Sequence, residues 1–271
     1  MSTVRINKFF TEQGCCSRRA ADRMIEEGRV RINGRVAVLG DQVTDADVVT
    51  VDGRVVSRRP PPVCLAYHKP VGVTCTTEPH VAGNIVHAVG YPERIFPIGR
   101  LDKDSSGLIL LTNDGDIVNR ILRAEFGHER EYVVTVDRPC PLSFLKQLEK
   151  GVLVLREKTR PCRTKKVDAT TFRITLTEGR NRQIRRMCSA LGYRVTKLVR
   201  VRIMHIRLGD LPVGKWRHLT SKEREELLTA IGLEEAPGKD RVSARSGRAG
   251  VTGKDRVSAG SGRVGAMEAA S

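Results

Sequence analysis

The alternation of apolar and polar positions divides the chain into regions of different character. Near the N-terminus, Asn7 stands where it could cap a helix beginning near Lys8, and Gly14 would end it. Ser17 is a second N-cap position, and behind it Ala20, Ala21, Met24 and Ile25 recur at helical spacing until Gly28. Val30-Arg31-Ile32 then meets Asn33-Gly34 and Arg35-Val36, and Val48 to Val51 meets Asp52-Gly53 and Val55-Val56. Both dipeptides are hairpin signals, because the favoured two-residue turn needs positive φ at both central positions. Two short helices followed by hairpins are predicted over residues 1–57.

The segment 58–63 holds Pro60, Pro61 and Pro62, which can neither continue a helix nor donate to a sheet, and reads as a semi-rigid linker. Beyond it, over 64–235, strand-like runs dominate: Val63 to Tyr67, Gly107 to Thr112, Tyr132 to Val136, Thr171 to Thr177 and Met204 to Leu208. Helical patterns fall at 116–123, 142–150, 181–191 and 221–231. The mixture lacks a regular βαβ period, so the fold class predicted is α+β. From Ala236 the pattern dissolves into Gly, Ser, Ala, Arg and Val, and residues 238–244 recur identically at 253–259. Two copies of so short a polar unit cannot build a solenoid, so 236–271 is expected to be a disordered basic tail.

Composition narrows the function classes. Of 271 residues, 48 are Lys or Arg and 31 are Asp or Glu, a formal charge of +17. No apolar run approaches the roughly 20 residues that a membrane-spanning helix requires. The first thirty residues are charged throughout, so a secretory signal is not expected. The seven cysteines never occur as CxxC, which speaks for a reducing, cytoplasmic setting rather than a disulfide or zinc framework. A surplus of positive charge points to a polyanion, while an Arg-rich surface with no partner is the plain alternative. Phe, Tyr and Trp number only 6, 4 and 1, too few for a grip built mainly on base stacking, so contacts from Arg and Lys to phosphate are expected.

The charge divides into +3 over 1–59, +10 over 60–235 and +4 over 236–271. Residues 179–209 hold nine basic residues and no acid, and phosphate is the natural counter-charge for such a stretch. Ser17-Arg18-Arg19 at a helix start combines free backbone N–H groups with two guanidinium groups, a cradle for phosphate. Taken alone, that triplet is a common one.

Four segments concentrate chemistry: Ile98 to Leu108, with Asp102 and Asp104 among cations; Glu131-Tyr132-Val133-Val134; Glu178 to Met187; and His68-Lys69-Pro70-Val71-Gly72-Val73. An Asp flanked by cations stays ionised and can act as nucleophile or base. On residues alone, an ordinary ion pair is the better reading of either Asp, a packed strand residue that of Tyr132, and one more phosphate contact that of Arg185. His68, His80 and His87 share no helix face, and read as loop residues rather than metal ligands. Cys15 and Cys16 read as small buried hydrophobes.

These segments resemble the pseudouridine synthases of the ribosomal small-subunit-A type, which carry an N-terminal S4 RNA-binding module. The S4 resemblance rests on Arg5-Ile6-Asn7-Lys8, Cys16-Ser17-Arg18-Arg19, Gly28-Arg29-Val30 and Ile32-Asn33-Gly34. The catalytic resemblance rests on Gly99-Arg100-Leu101-Asp102-Lys103-Asp104-Ser105-Ser106-Gly107-Leu108 and Gly179-Arg180-Asn181-Arg182-Gln183-Ile184-Arg185-Arg186-Met187. His128 to Tyr132, Arg202-Ile203-Met204 and the basic tail are most similar to the F-type subgroup, which acts on large-subunit (23S) rRNA.

The resemblance implies an S4 (αL-type) module joined to a mixed, mainly antiparallel synthase sheet flanked by helices. It implies isomerisation of a flipped-out uridine in folded rRNA, with tRNA as a second candidate substrate, by a monomer that needs neither metal nor cofactor. It makes Asp102 the group that acts on the nucleoside and Tyr132 the ring that stacks on the base and moves a proton. Arg185 becomes the ion-pair partner of Asp102, Arg100 the residue that helps flip the base, and Ile184 the apolar wall. Arg180, Asn181 and Arg182, and in the S4 module Arg5, Lys8, Ser17, Arg18 and Arg19, are the expected RNA contacts. Asp104 is the rival to Asp102, and its place in Arg-Leu-Asp favours Asp102. The alternative is a non-catalytic S4-type RNA-binding or ribosome-assembly protein, which has no reason to keep Asp102, Tyr132 and Arg185 together. An S4-bearing translation factor would need a nucleotide-binding glycine loop that the sequence lacks.

Overall fold

A computed structural model of the protein describes residues 3–56, 60–78, 80–122 and 127–233. The predicted tail, 236–271, and residues 58 and 59 of the predicted linker lie outside the described residues.

β1 (Val4–Arg5), α1 (Ile6–Glu12) and α2 (Arg18–Glu26) precede the short strands β2 (Val30–Ile32), β3 (Arg35–Val36), β4 (Gln42–Val43), β5 (Val49–Val51) and β6 (Arg54–Val55). Ser17 caps α2 as its position suggests, its Oγ accepting from Ala20 N–H at 3.1 Å. Asn7 does not cap α1: the helix starts at Ile6, two residues before the expected Lys8, because Ile6 and Phe10 both face inward and set the phase. The Asn7 amide instead donates to Asp22 of α2 at 2.9 Å. Both predicted hairpins form, with φ of +49° and +85° at Asn33-Gly34 and +48° and +77° at Asp52-Gly53. Ile6, Phe10, Ala21, Ile25, Val30, Ile32, Ala37, Val43 and Val49 make one buried cluster drawn wholly from this segment. Burying each larger member stabilises by about 1.5–3 kcal/mol, which is what holds two helices of seven and nine residues in shape.

Pro61 O accepts from the Asn113 amide at 2.8 Å and Val63 N–H donates to Asn113 Oδ1 at 2.8 Å, so the end of the linker is fastened to the next region. There, β7 (Cys64–Lys69), α3 (Ile85–Val89), β8 (Phe96–Pro97), β9 (Ser106–Thr112), α4 (Gly115–Leu122) and β10 (Arg130–Val136) come first. α5 (Leu142–Glu149), β11 (Leu153–Val154), β12 (Glu157–Lys158), β13 (Arg163–Lys166), β14 (Thr171–Leu176), α6 (Gln183–Ala190), β15 (Val195–Ile203), β16 (Ile206–Arg207), β17 (Trp216–His218) and α7 (Ser221–Ala230) complete it. The sheet order is β13-β14-β10-β15-β9-β7-β17, with β16 on β15 and β8 on β9. Every pairing is antiparallel except β15 with β9, so the sheet is mixed and mainly antiparallel, as the α+β reading expects.

The differences from the sequence reading have physical causes. The expected strand at Met204 to Leu208 shrinks to β16, because Met204 takes φ of +52° and turns the chain. The nine-residue β15 just before it was hidden by its four basic or polar positions, which gave the segment the look of a charged surface. α3 spans five residues, too few to show a helical period.

The parallel pair positions the site. Gly107 lies against Arg200 in register, and a Cβ on Gly107 would come within 2.3 Å of Arg200 O and 2.5 Å of its N. Only glycine permits that approach, and its φ of +112° lies outside the range of ordinary L residues. The loop 98–105, which carries Asp102, is thereby laid beside the middle of β15.

Candidate active site

A cavity of about 480 Å3 opens where the 98–102 loop, the sheet strands β10 and β15, and the turn entering α6 converge. Its walls include Arg100, Asp102, Tyr132, Arg180, Asn181, Arg182 and Ile184. Segments far apart in sequence thus contribute to one hollow. Ile184 is buried and offers an apolar wall, and Tyr132 packs at the junction of two core clusters with its ring on the cavity.

The two aspartates differ in their engagement. Asp104 is clamped: Arg182 donates to it twice, at 3.1 and 2.9 Å, and Arg185 Nε lies 3.4 Å away. The Arg182 hydrogen bonds, then the charge of Arg185, hold the Asp104 carboxyl below its ordinary value. Asp102 makes a single ion pair among the described residues, with the Arg182 guanidinium at 3.9 Å, and its side chain is 29% exposed on the cavity. One carboxylate is tied to the wall and the other is left available.

Arg185 therefore does not take the place expected for it. Its guanidinium donates to Asp104 O at 2.9 Å, Ser105 Oγ at 3.2 Å and Val195 O at 3.1 Å, and it forms no ion pair with Asp102. The reason is geometric: Arg182, in the left-handed conformation at the cap of α6, reaches over the loop, while Arg185 on the next turn ties down its far end. Arg185 orients the loop, and Arg182 is the cation within 4 Å of Asp102.

The turn before α6 is also braced. The Gln183 amide donates to Glu178 at 2.7 Å and its Oε1 accepts from Arg180 N–H at 3.0 Å. Arg180 pairs with Glu157 at 2.9 Å and Glu178 at 3.3 Å, so part of its charge is spent within the protein. The Asn181 carbonyl and Oδ1 accept from Arg186. On the opposite flank, Lys69 ends β7 fully buried, its Nζ donating to Pro70 O at 2.8 Å and Val73 O at 2.9 Å. Burial pushes the Lys69 ammonium below its ordinary value, while Cys75, Asp102 and Asp104 pull the other way. Gly72 N–H donates to Lys103 O at 2.8 Å, joining the turn after Lys69 to the Asp102 loop. His68 has its Nδ1 2.7 Å from Leu211 O, in keeping with a strand-end role.

The acid-free stretch 179–209 is less free than its sequence suggests. Arg180, Arg182, Arg185, Arg194 and Arg202 pair with carboxylates brought from other segments: Glu157 and Glu178, Asp104, Asp137, and Glu129 with Glu131. Five of the nine cations in that stretch thus meet protein acids before any phosphate.

In the N-terminal segment, Arg5, Arg18 and Arg19 are exposed and make no side-chain hydrogen bond or ion pair among the described residues. Lys8 differs from expectation: it donates to both Asp116 oxygens, at 3.0 and 3.1 Å, and sits 3.4 Å from Glu12. Its partner Asp116 lies in α4, invisible to any local reading.

Two arginines of the cavity wall were not among the expected site residues, Arg130 and Arg200. The signal for Arg130 was its place two residues before Tyr132 on a strand, which puts both on one face. Arg200 was one cation among nine.

Two family models match the chain: S4 domain over residues 4–49 and RNA pseudouridylate synthase over residues 63–190. The dual-specificity RNA pseudouridine synthase RluF of Salmonella typhi is 50% identical over 252 residues, covering 92% of this chain and 87% of that protein. The ribosomal large subunit pseudouridine synthase B of Bacillus subtilis is 38% identical over 232 residues, covering 82% of this chain and 95% of that protein. A solved structure described as a pseudouridylate synthase superposes with a TM-score of 0.61 at 30% identity, covering 83% of this chain and 99% of that one.

Proposed function

The chain belongs to the S4-bearing RNA pseudouridine synthases, and from that premise we propose that it isomerises a uridine of large-subunit rRNA with Asp102 as the group acting on the nucleoside. The observation that carries the assignment is the contrast between the carboxylates: Asp104 is bound twice by Arg182, while Asp102 faces the cavity with one cation 3.9 Å away. An ionised carboxylate in that position can attack C1′ of the ribose, or remove the proton on the neighbouring C2′, as the N-glycosidic bond breaks. Tyr132 supplies the stacking face and Ile184 the apolar wall for a base taken out of its helix. Arg100 helps flip the base and holds the flipped nucleotide, a role supported by its exposure at the cavity.

The large-subunit assignment is supported by the Bacillus subtilis relative, whose name gives the ribosomal large subunit. The Salmonella typhi relative is called dual-specificity, which supports a second class of RNA, with tRNA the candidate. Residues 1–57 act as a separate RNA-docking module that presents Arg5, Arg18 and Arg19, and 64–235 as the catalytic domain; the self-contained core of the first segment supports the division. The protein acts as a monomer in the cytoplasm, and no described helix is long and apolar enough to cross a membrane.

The test is to map pseudouridines in rRNA and tRNA from cells lacking the gene, then restore it as wild type or as Asp102→Asn. One or more sites should vanish on deletion and return only with the wild type, although Asp102→Asn binds RNA nearly as well. An unchanged map would favour the non-catalytic RNA-binding alternative, and recovery by Asp102→Asn would remove Asp102 from the chemistry.

A further inference from the structure

Arg200 on β15 stands directly across from Tyr132 on β10, and opposed residues of an antiparallel pair project to the same face. Both line the cavity, and so does Arg130. Arg200 is 3% exposed, with Nε donating to Leu108 O at 2.6 Å and Nη1 to Arg100 O at 3.4 Å. Its Nη2 is buried without a hydrogen-bond partner. Arg130 makes no side-chain hydrogen bond or ion pair among the described residues, and burial, then the charge of Arg200, push its guanidinium below the ordinary arginine value. Two guanidinium groups therefore share one wall, neither paired with a carboxylate among the described residues, with Arg200 Nη2 and the Arg130 donors unspent. Such an arrangement is costly unless something electron-rich completes it.

We propose that Arg200 and Arg130 receive the negative charge of the uracil ring when its bond to ribose breaks, Arg200 Nη2 donating to a ring carbonyl oxygen. The inference rests on the pseudouridine synthase reading and names the groups that serve its leaving base. When C1′–N1 breaks, the bonding pair stays with the ring, whose charge spreads over N1 and the two carbonyl oxygens. After the ring turns, C5 forms the bond to C1′ as the Asp102 carboxylate is released from C1′ or returns the ribose proton it took; the proton on C5 departs and N1 takes one up, so the atoms balance as an isomerisation. A donor already in place where that charge develops stabilises the transition state more than the ground state.

Depth favours the base over a phosphate. A phosphodiester must continue into RNA on both sides and so stays near the mouth of the cavity, where exposed Arg100 lies. The flipped base enters furthest and meets Tyr132, whose strand partner is Arg200.

The test uses single turnover at saturating protein on a stem-loop transcript carrying the mapped uridine, with RNA Kd measured alongside. Arg200→Lys keeps the charge but loses the planar fork. Arg130→Gln removes a side chain that makes no bonds, so it keeps the question answerable if the first variant fails to fold. Each is expected to slow turnover by about tenfold or more with Kd nearly unchanged. Repeating the series with 5-fluorouridine at the target adds a diagnostic, read as disappearance of the starting nucleotide. Fluorine makes the departing ring a more stable anion, so the variants should lose distinctly less on that substrate. Three outcomes overturn the proposal: Arg130→Gln turning over like wild type, weakened Kd with an unchanged saturated rate (the phosphate case), or equal slowing on both substrates (a structural role). A wild type inactive on every RNA would instead sink the parent reading.

Discussion

Gly107→Ala should damage the protein far more than a glycine-to-alanine change normally does. The new Cβ would sit 2.3 Å from Arg200 O, 2.5 Å from Arg200 N and 2.9 Å from Arg200 C, all backbone atoms of a central strand. No side chain can rotate away to relieve that overlap. The residue also has φ of +112°, a conformation costing an alanine about 1–3 kcal/mol. Overpacking against a rigid neighbour adds roughly 1–3 kcal/mol. The sum, about 2–6 kcal/mol, is a large part of a typical domain's 5–15 kcal/mol. Gly34→Ala serves as control: φ is +85°, but its Cβ would meet nothing within 4 Å, so only the conformational part applies. Urea unfolding of both variants should show the midpoint of Gly107→Ala falling well below that of Gly34→Ala, with unchanged slopes. If the chain stays folded by opening the β9–β15 contact, the 98–105 loop shifts, and a displacement of about 1 Å at Asp102 would cost on the order of a hundredfold in turnover. Equal stability of the two variants with full activity in both would refute the claim that this contact positions the site.

The Asp104 carboxyl is held below its ordinary value of 3.8 by Arg182 and Arg185, so the clamp's contribution is present above that value and is lost as pH falls through the lowered one. Asp104→Asn should flatten the acid limb of a stability-against-pH profile, and an unaltered limb would show that the clamp carries no linked stability. Arg18→Ala and Arg19→Ala should each weaken RNA binding and reduce the slope of log K against log salt by about 0.7–0.9. Lys8→Ala should leave that slope unchanged, because Asp116 and Glu12 already occupy Lys8; a loss like that of Arg18→Ala would contradict its withdrawal from the RNA face. Ser17→Ala should cost about 1 kcal/mol in urea unfolding through the lost cap of α2, and no loss would show the cap to be idle.

What was legible in the sequence was whatever a local pattern determines. Asn33-Gly34 and Asp52-Gly53 form their turns because turn chemistry is a property of two adjacent residues. The Ser17 cap and the apolar strand at Ser106–Thr112 follow in the same way. The motif around Asp102 was legible through resemblance, and the residues it gathered do share one cavity, except that Arg185 grips Asp104 and Ser105. What stayed hidden depended on partners distant in the chain. Lys8 read as an RNA contact because Asp116 lies 108 positions away. The exchange of roles between Arg182 and Arg185 depends on a left-handed residue at the start of α6, which no propensity of arginine announces. Arg200 could not be told from its cationic neighbours until β15 was seen to face β10 at Tyr132.

The same reasoning changes what a surplus of charge means. A run of nine cations without an acid invites the inference that each awaits a phosphate. In the folded chain, five of them meet carboxylates from other segments and serve to brace the turn before α6, the 98–105 loop and the strands beside it. A paired cation has its field largely cancelled and adds little to counterion release. Affinity for RNA should therefore follow the unpaired exposed cations, such as Arg5, Arg18 and Arg19, rather than the local density of arginine. Arg130 and Arg200 belong to neither group. They are unpaired, Arg200 fully and Arg130 partly withdrawn from bulk water, where charge is less screened and of more use to a reaction that sends electrons onto a departing ring.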